Sequence, residues 1–354
     1  MNDRIRIKDI AERAGVSVGT VDRVLHNRPN VSAPAREKVE IALKEMNYQP
    51  NAYASALAYN RSYVFYMILP KHSQEAYWDE IEQGARKVMD TRRDFHVDVR
   101  IVFYQRFDDD SFREISKECL NQKPDGIVVV PSDLDVTREF TNELHAQKIP
   151  FVMLDSYMPD LNPLSFFGQD SFQSGYFAAK MLMLIARDEK QIVLMKRMQG
   201  GKSASKQQAN REVGFRHYMT DHFPHINIVD LPMPVGLRRN ERNVILEKFF
   251  SEHSDVRHCI TLSSKAHIIG EFLLSTNRRE VQVMGYDVVA KNAECLRKGS
   301  ISFLIAQHGY QQGYHSVDTL VKAIVLKQKV DPVNYMPIEL LTKENIDFYR
   351  RTQL

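Results

Sequence analysis

Two carboxylates, Asp155 and Asp287, stand just past short apolar runs, and Arg211 opens the stretch Arg211-Glu-Val-Gly-Phe215. A carboxylate accepts two hydrogen bonds and a guanidinium donates a rigid fork, so vicinal hydroxyls suit both. Asp155 follows Phe151–Leu154, Gln169 and Asp170 follow Phe166–Phe167, Asp287 follows Met284-Gly-Tyr, and Gln307 follows Phe303–Ala306. Taken singly, each reads as a helix cap or a surface charge. The chemistry of carboxylates beside an arginine makes a sugar or polyol the expected guest. Tyr77 and Trp78, the latter the only tryptophan, add aromatic faces that suit the C–H side of a sugar ring. Tyr77 serves nearly as well as core packing.

Reaction chemistry finds no such support. No H-E-x-x-H or G-x-S-x-G occurs, and the first apolar strand ends Leu69-Pro-Lys-His-Ser without a G-x-G-x-x-G turn. Gly200-Gly-Lys202-Ser is not a phosphate loop, because Lys196 stands where the first glycine is required. The expectation is a binding protein, not an enzyme, with no cofactor and no metal.

The site residues must be held by the apolar runs that precede them. Val64–Leu69, Val99–Phe103, Gly126–Val130, Phe151–Leu154, Ile192–Met195, Ile260–Leu262, Val281–Met284 and Phe303–Ala306 alternate with helical stretches. That alternation predicts parallel sheets covered by helices, and so many strands divide between two lobes. In such sheets ligand lies beyond the carboxyl ends of the strands.

The first sixty residues have a different period. Ile7, Ile10, Ala11 and Ala14 form one apolar face, Gly15 permits a sharp turn, and Ser17 is placed to cap a helix from Val18 to about Leu25. In that helix Val21, Val24 and Leu25 face inward, while Val18, Gly19, Asp22 and Arg23 face outward. A third helix follows Ser32, with Val39, Ala42, Leu43 and Met46 inward. This is a helix-turn-helix pattern.

Charge agrees with that division. Residues 1–61 hold ten Lys/Arg and seven Asp/Glu, leaving 38 of each for the rest, so the whole excess of +3 sits in front, where phosphate contacts would need it. Apolar residues at 43% and charged residues at 26% fit a soluble globular chain of two or three domains. Cys119, Cys259 and Cys295 are odd in number and far apart, so free thiols are expected. The start Met-Asn-Asp-Arg-Ile-Arg has no apolar signal region and no run approaches a membrane span. A cytoplasmic location is expected.

The run Ile7-Lys8-Asp9-Ile10-Ala11, Ala14-Gly15-Val16-Ser17, Thr20-Val21, Arg23-Val24-Leu25, Val31-Ser32, Arg36 and Asn47-Tyr48-Gln49-Pro50-Asn51 resembles the lactose/galactose-repressor (LacI/GalR) family, and the match continues to Ala54 and Leu57. The resemblance implies an all-α helix-turn-helix headpiece (1–50), a hinge helix (51–61) and an α/β periplasmic-binding-protein-like core of two doubly wound parallel-sheet lobes (62–354). Lobe 1 would comprise 62–167 and 307–335, and lobe 2 would comprise 168–306 and 336–354. It implies operator contacts from Ser17, Val18, Gly19, Thr20, Arg23 and His26, and from Asn51, Ala54 and Leu57 in the hinge. Leu57 would wedge into a base step, or else be an ordinary linker residue. Effector contacts would come from Tyr77, Trp78, Asp155, Gln169, Asp170, Arg211, Ser263, Asp287 and Gln307. The implied partners are a pseudo-palindromic operator, a small sugar, polyol or sugar derivative, and a second copy of the chain, with no membrane. The function implied is transcriptional regulation, as a repressor of carbohydrate-utilisation genes; a sugar receptor without a regulatory role is the alternative.

Some positions depart from the family pattern. Arg6 replaces a capping threonine. Asp22 replaces a small hydroxyl residue, and either accepts from a cytosine amine or pairs with Arg23. Ser263-Ser264 replaces Asn-Asp. The segment from Lys196 to Lys206 reads as a long basic loop that is either solvated or holds an anionic group of the effector.

Overall fold

The computed structural model describes residues 5–25, 28–46, 48, 61–74 and 76–349, which divide into a front unit ending at Asn60 and a rear unit starting at Arg61. In the front unit, α1 (Ile7–Ala14), α2 (Val18–Leu25) and α3 (Ala33–Glu45) enclose a small core of Ile10, Ala11, Ala14, Val21, Val24, Val39 and Ala42. The expected cap forms at α2, where Ser17 Oγ accepts from the Thr20 amide at 3.2 Å. At α1 the side chain of Arg6 makes no cap, yet the Arg6 amide donates to Asp9 Oδ2 at 2.7 Å. Half of a reciprocal capping box therefore survives the substitution. That amide hydrogen bond holds the Asp9 carboxyl below its usual range, helped by the Arg6 charge.

In the rear unit, β1 (Tyr63–Pro70), β2 (Val97–Tyr104), β3 (Gly126–Val129), β4 (Phe151–Leu154), β5 (Ser165–Gly168) and β12 (Val333–Tyr335) form one sheet. Its order is β12-β5-β4-β3-β1-β2, and all its pairs are parallel. The second sheet holds β6 (Gln191–Gln199), β7 (Lys202–Ser203), β8 (Asn227–Pro234), β9 (His258–Thr261), β10 (Gln282–Tyr286), β11 (Phe303–Ala306) and β13 (Glu339–Leu341). Here β8-β6-β9-β10-β11 are parallel, with β7 and β13 added antiparallel. Both sheets thus place their second strand outside the first and run onward from the other side. That reversal leaves a crevice at the carboxyl ends of the strands.

Burial on both faces explains why the strands read as unbroken apolar runs. Val193 and Met195 enter one core of the second sheet, while Ile192 and Leu194 enter the core on its opposite face. β8 carries no such run. It is an edge strand paired only to β6, with alternate residues exposed and with Pro232 and Pro234 near its end, where missing donors cost least. The segment from Lys196 to Lys206 is not a loop. β6 continues to Gln199, Gly200 and Gly201 turn with φ of 54° and 76°, and β7 returns antiparallel. Lys196 within it bonds to Glu212 Oε1 at 3.1 Å and Asp230 Oδ2 at 2.7 Å.

The chain passes between the sheets after β5, after β11 and between β12 and β13. Gln169 ties the three passages together. Its amide nitrogen donates to the carbonyls of Ala306 at 2.8 Å and Pro337 at 2.7 Å, and its oxygen accepts from Ser174 Oγ at 3.1 Å. No helix among the described residues is long and apolar enough to cross a membrane.

One helix crossing in each lobe sets the site. In the first, α4 (Tyr77–Thr91) meets α12 (Gly309–Leu320) where Gly84 and Gly313 let backbone touch backbone. In the second, α7 (Ser171–Met183) meets α8 (Lys206–His222) at Gly175 and Gly214. A Cβ on Gly175 would overlap the carbonyl oxygen of Arg211, and one on Gly313 that of Ile81. Glycine to alanine inside a helix ordinarily stabilises by about 1 kcal/mol. Gly175→Ala and Gly313→Ala should instead lower the melting temperature of the purified chain. A rise in either variant would mean that the helices do not approach this closely.

Candidate functional site

The carboxyl ends of both sheets face a cleft of about 490 Å³. Each sheet sends one aspartate into it from the same place. Asp155 follows β4 and Asp287 follows β10, the fourth parallel strand of each lobe in chain order. Both take a left-handed backbone with φ of 68°. Both donate their amide to the neighbouring strand, Asp155 to Phe167 O at 2.8 Å and Asp287 to Ile305 O at 2.9 Å. A non-glycine residue in this region is strained and persists only where its surroundings fix it. Burial pushes each carboxyl up to about 6, against the opposing pull of the Arg211 charge.

Arg211, on α8, is buried in the wall of the same cleft, and its charge acts on both carboxyls. Its Nη1 donates to Leu262 O at 3.0 Å, its Nη2 donates to Gln307 Oε1, and its guanidinium lies 4.1 Å from the centre of the Tyr286 ring. Gln307 passes the polarity on, donating Nε2 to Asp287 Oδ1 at 2.7 Å. On the other side, the Tyr77 hydroxyl donates to Asp155 Oδ1 at 3.2 Å and accepts from Gln312 Nε2 at 3.0 Å. Burial next to Asp155 raises that hydroxyl well above its ordinary range. Gln207 reaches across the cleft to Asp155 Oδ2 and Ser156 Oγ. Trp78 is half-buried, edge-on to Tyr77 with ring centres 5.0 Å apart. The walls thus offer carboxylate acceptors, amide groups and aromatic rings, the inventory that binds hydroxyls and sugar C–H groups.

Tyr77, Trp78, Asp155, Arg211, Ser263, Asp287 and Gln307 all line this cleft. Gln169 and Asp170 do not. The amide of Gln169 is consumed at the passages between lobes, and Asp170 caps α7, accepting from the Gln173 amide at 3.0 Å. Ser263 lies in the wall with its hydroxyl 3.1 Å from that of Thr261. Gln207, Gln208, Arg106, Arg197 and Lys265 also line this cleft, beyond the residues singled out from the sequence. Arg106 lies two residues past β2 and Lys265 four past β9, so the strand-end rule that found Asp155 could have found them. Arg197 was hidden by the premature end given to β6.

On the head, Ser17, Val18, Gly19 and Arg23 are exposed at and along α2, and Thr20 is half-buried with its hydroxyl 2.9 Å from that of Ser17. A Cβ on Gly19 would meet only Ser17 Oγ, at 3.8 Å. Asp22 does not depend on Arg23 for a partner, since Arg28 Nη1 donates to its Oδ2 at 3.2 Å. His26, Asn51, Ala54 and Leu57 lie outside the described residues.

Residues 6–51 match the model of bacterial regulatory proteins of the lacI family, and residues 65–328 match that of a periplasmic binding protein domain. The chain belongs to the LacI family of bacterial regulatory proteins. A Bacteroides fragilis structure assigned as a LacI transcriptional regulator is 42% identical, with a TM-score of 0.79, covering 82% of this chain and all of that one. The sucrose operon repressor of Pediococcus pentosaceus is 24% identical over 80% of this chain and 82% of its own length. The regulator DegA of Bacillus subtilis is 27% identical over 61% of this chain, a match spanning 60% of DegA. The glucose-galactose binding protein GanP of Geobacillus stearothermophilus is 21% identical with a TM-score of 0.69, over 81% of this chain and 99% of its own, and shares the fold of the rear unit. As in that fold, this LacI-family member places its cleft between two parallel-sheet lobes.

The raised carboxyls fix the sign of a pH effect. Each has a folded value near 6 against 3.8 for the free side chain, so its protonated form favours folding and that contribution fades as pH rises through 6. Asp155→Asn and Asp287→Asn should therefore raise the melting temperature at pH 7.5 by a few degrees, with the gain shrinking towards pH 5. Gains of equal size at both pH values would show that burial of the charge is not the cause.

Proposed function

We propose that this LacI-family regulator binds a pseudo-palindromic operator as a homodimer and is controlled by a small sugar-like effector held between the two lobes. The observation that carries the reading is the pair of matched aspartates, one from each lobe, sharing a cleft with the buried Arg211 and with Trp78. A guest that bonds to both aspartates joins the lobes, and its differential affinity for two lobe arrangements would shift the population between them. A lacI-type head in the same chain gives that shift something to control. The sugar repressors and receptors among its relatives support the choice of guest. A repressor of carbohydrate-utilisation genes, working in the cytoplasm without enzymatic turnover, fits this reading.

The test is to select an operator from a randomised duplex pool and titrate a panel of sugars and polyols against the complex. Asp287→Ala should abolish the effector response and leave effector-free operator affinity near wild type. Leu57→Ala should weaken operator binding and reduce DNA bending; unchanged bending would remove the wedge. Because hydroxyls donate to the charged carboxylates, effector affinity should fall as pH drops from 7.5 to 5. Operator affinity that ignores every compound, or no preference for any duplex, would sink the reading.

A further inference from the structure

Sugar hydroxyls leave much of the cleft's charge unused. Among the described residues its walls carry six cationic side chains, Lys71, Arg106, Arg197, Arg211, Lys265 and Lys291, against the two carboxylates Asp155 and Asp287. Arg211 is held at both Nη atoms by Leu262 and Gln307 and lies against Tyr286, with only its Nε buried and without a partner among the described residues. Arg106 is anchored across the cleft, donating Nη2 to Ala204 O at 2.9 Å, with its guanidinium 4.8 Å from the Phe107 ring centre. Arg197 is the informative member. Its backbone is clamped by Gln208, whose Oε1 accepts from the Arg197 amide at 3.0 Å and whose Nε2 donates to the Arg197 carbonyl at 2.8 Å. Its side-chain Nη1 is buried and has no hydrogen-bond partner among the described residues.

A buried guanidinium N–H without an acceptor is costly, and solvated surface lysines would not produce one. The local field agrees. Burial, then the neighbouring Arg242 and Arg106, push Arg197 down to about 10. Burial and the charges of Lys265, Lys291 and Arg242 push the adjacent His267 down to about 4, although its bond to Asn292 acts the other way. The helix α11 (Ala290–Arg297) also begins in this wall, with Ala290 and Lys291 lining the cleft and no side chain capping it at Val289. A helix start adds partial positive charge.

We infer that the effector is an anionic sugar derivative, its carboxylate or phosphate seated against Arg197, Arg106 and Lys265 while its hydroxyls bond to Asp155 and Asp287. This rests on the reading of the cleft as the effector site. Two parallel N–H donors from a fixed guanidinium match two oxygens of either group. Charge on the guest would also explain why a cleft built for hydroxyls carries so many cations.

Trp78 lines the same cleft and is the only tryptophan, so its fluorescence reports occupancy in the full-length protein. Inorganic phosphate titrated at constant ionic strength should give a saturable change, weakened by about tenfold in Arg197→Gln. Lys265→Gln, at an exposed position, supplies a second variant should Arg197→Gln fail to fold. Glucuronate and glucose 6-phosphate, each compared with glucose, then separate a carboxylate from a phosphate preference. No saturable phosphate response together with anionic sugars no better than glucose overturns the inference, as does a phosphate response unchanged in both variants. Operator affinity measured alongside keeps the two readings apart. Glucose altering it while anions do nothing removes only the anion, whereas Arg197-dependent anion binding that leaves it unchanged removes only the regulatory role.

Discussion

A single buried guanidinium organises the rear unit. Arg211 is buried, and a buried charge stripped of its partners costs about 3–5 kcal/mol. Several elements hold it at once: the Leu262 carbonyl after β9 and Gln307 after β11 accept from its Nη atoms, the Tyr286 ring at the end of β10 lies against it, and the field of the two aspartates after β4 and β10 reaches it, while its Nε is buried without a partner among the described residues. These groups come from both lobes and from one passage between them, so the position of Arg211 couples parts of the chain that the sequence keeps far apart. Its own position is fixed by Gly175, which allows α7 to press against the Arg211 carbonyl.

The site is built twice over. Each lobe repeats the same strand order, ends its fourth strand in a left-handed aspartate, and brings two helices together at glycines. The two lobes meet through cross-cleft bonds such as Gln207 to Asp155 and Arg106 to Ala204, while Gln169 binds the three connecting strands into one junction. The passages between the lobes thus share one hydrogen-bonded junction, and the cross-cleft bonds are contacts that a guest could replace. A ligand touching both aspartates would act where the lobes are joined by side chains alone.

Much of this was legible in the residues. The continuous apolar runs located most parallel strands because burial on both faces removes the need for alternation, and the polar residues just beyond them located Asp155, Asp287 and Gln307. The failures have equally physical causes. β8 escaped notice because an edge strand with prolines and alternating exposure carries no apolar run. Lys196 read as loop because its charge is neutralised only by Glu212 and Asp230, which lie further along the chain, and Arg197 because its backbone is clamped by the side chain of Gln208. Gln169 follows a strand end as faithfully as Gln307 does, yet one amide is spent on holding the passages and the other faces the cleft. Nothing local distinguishes them.

What the sequence determined by itself was periodicity and local geometry: a three-helix head with Ser17 as a cap, strands and helices in alternation behind it, and the residue types available at the strand ends. Such features depend on neighbours within a few positions, so one chain suffices to read them. Only the tertiary structure decided which of those polar groups share a cleft, which carboxyls are lifted to about 6, and where Arg197 is left with an unanswered donor. Those properties arise from desolvation and from charges brought together across hundreds of residues, and they do not exist until the lobes have folded.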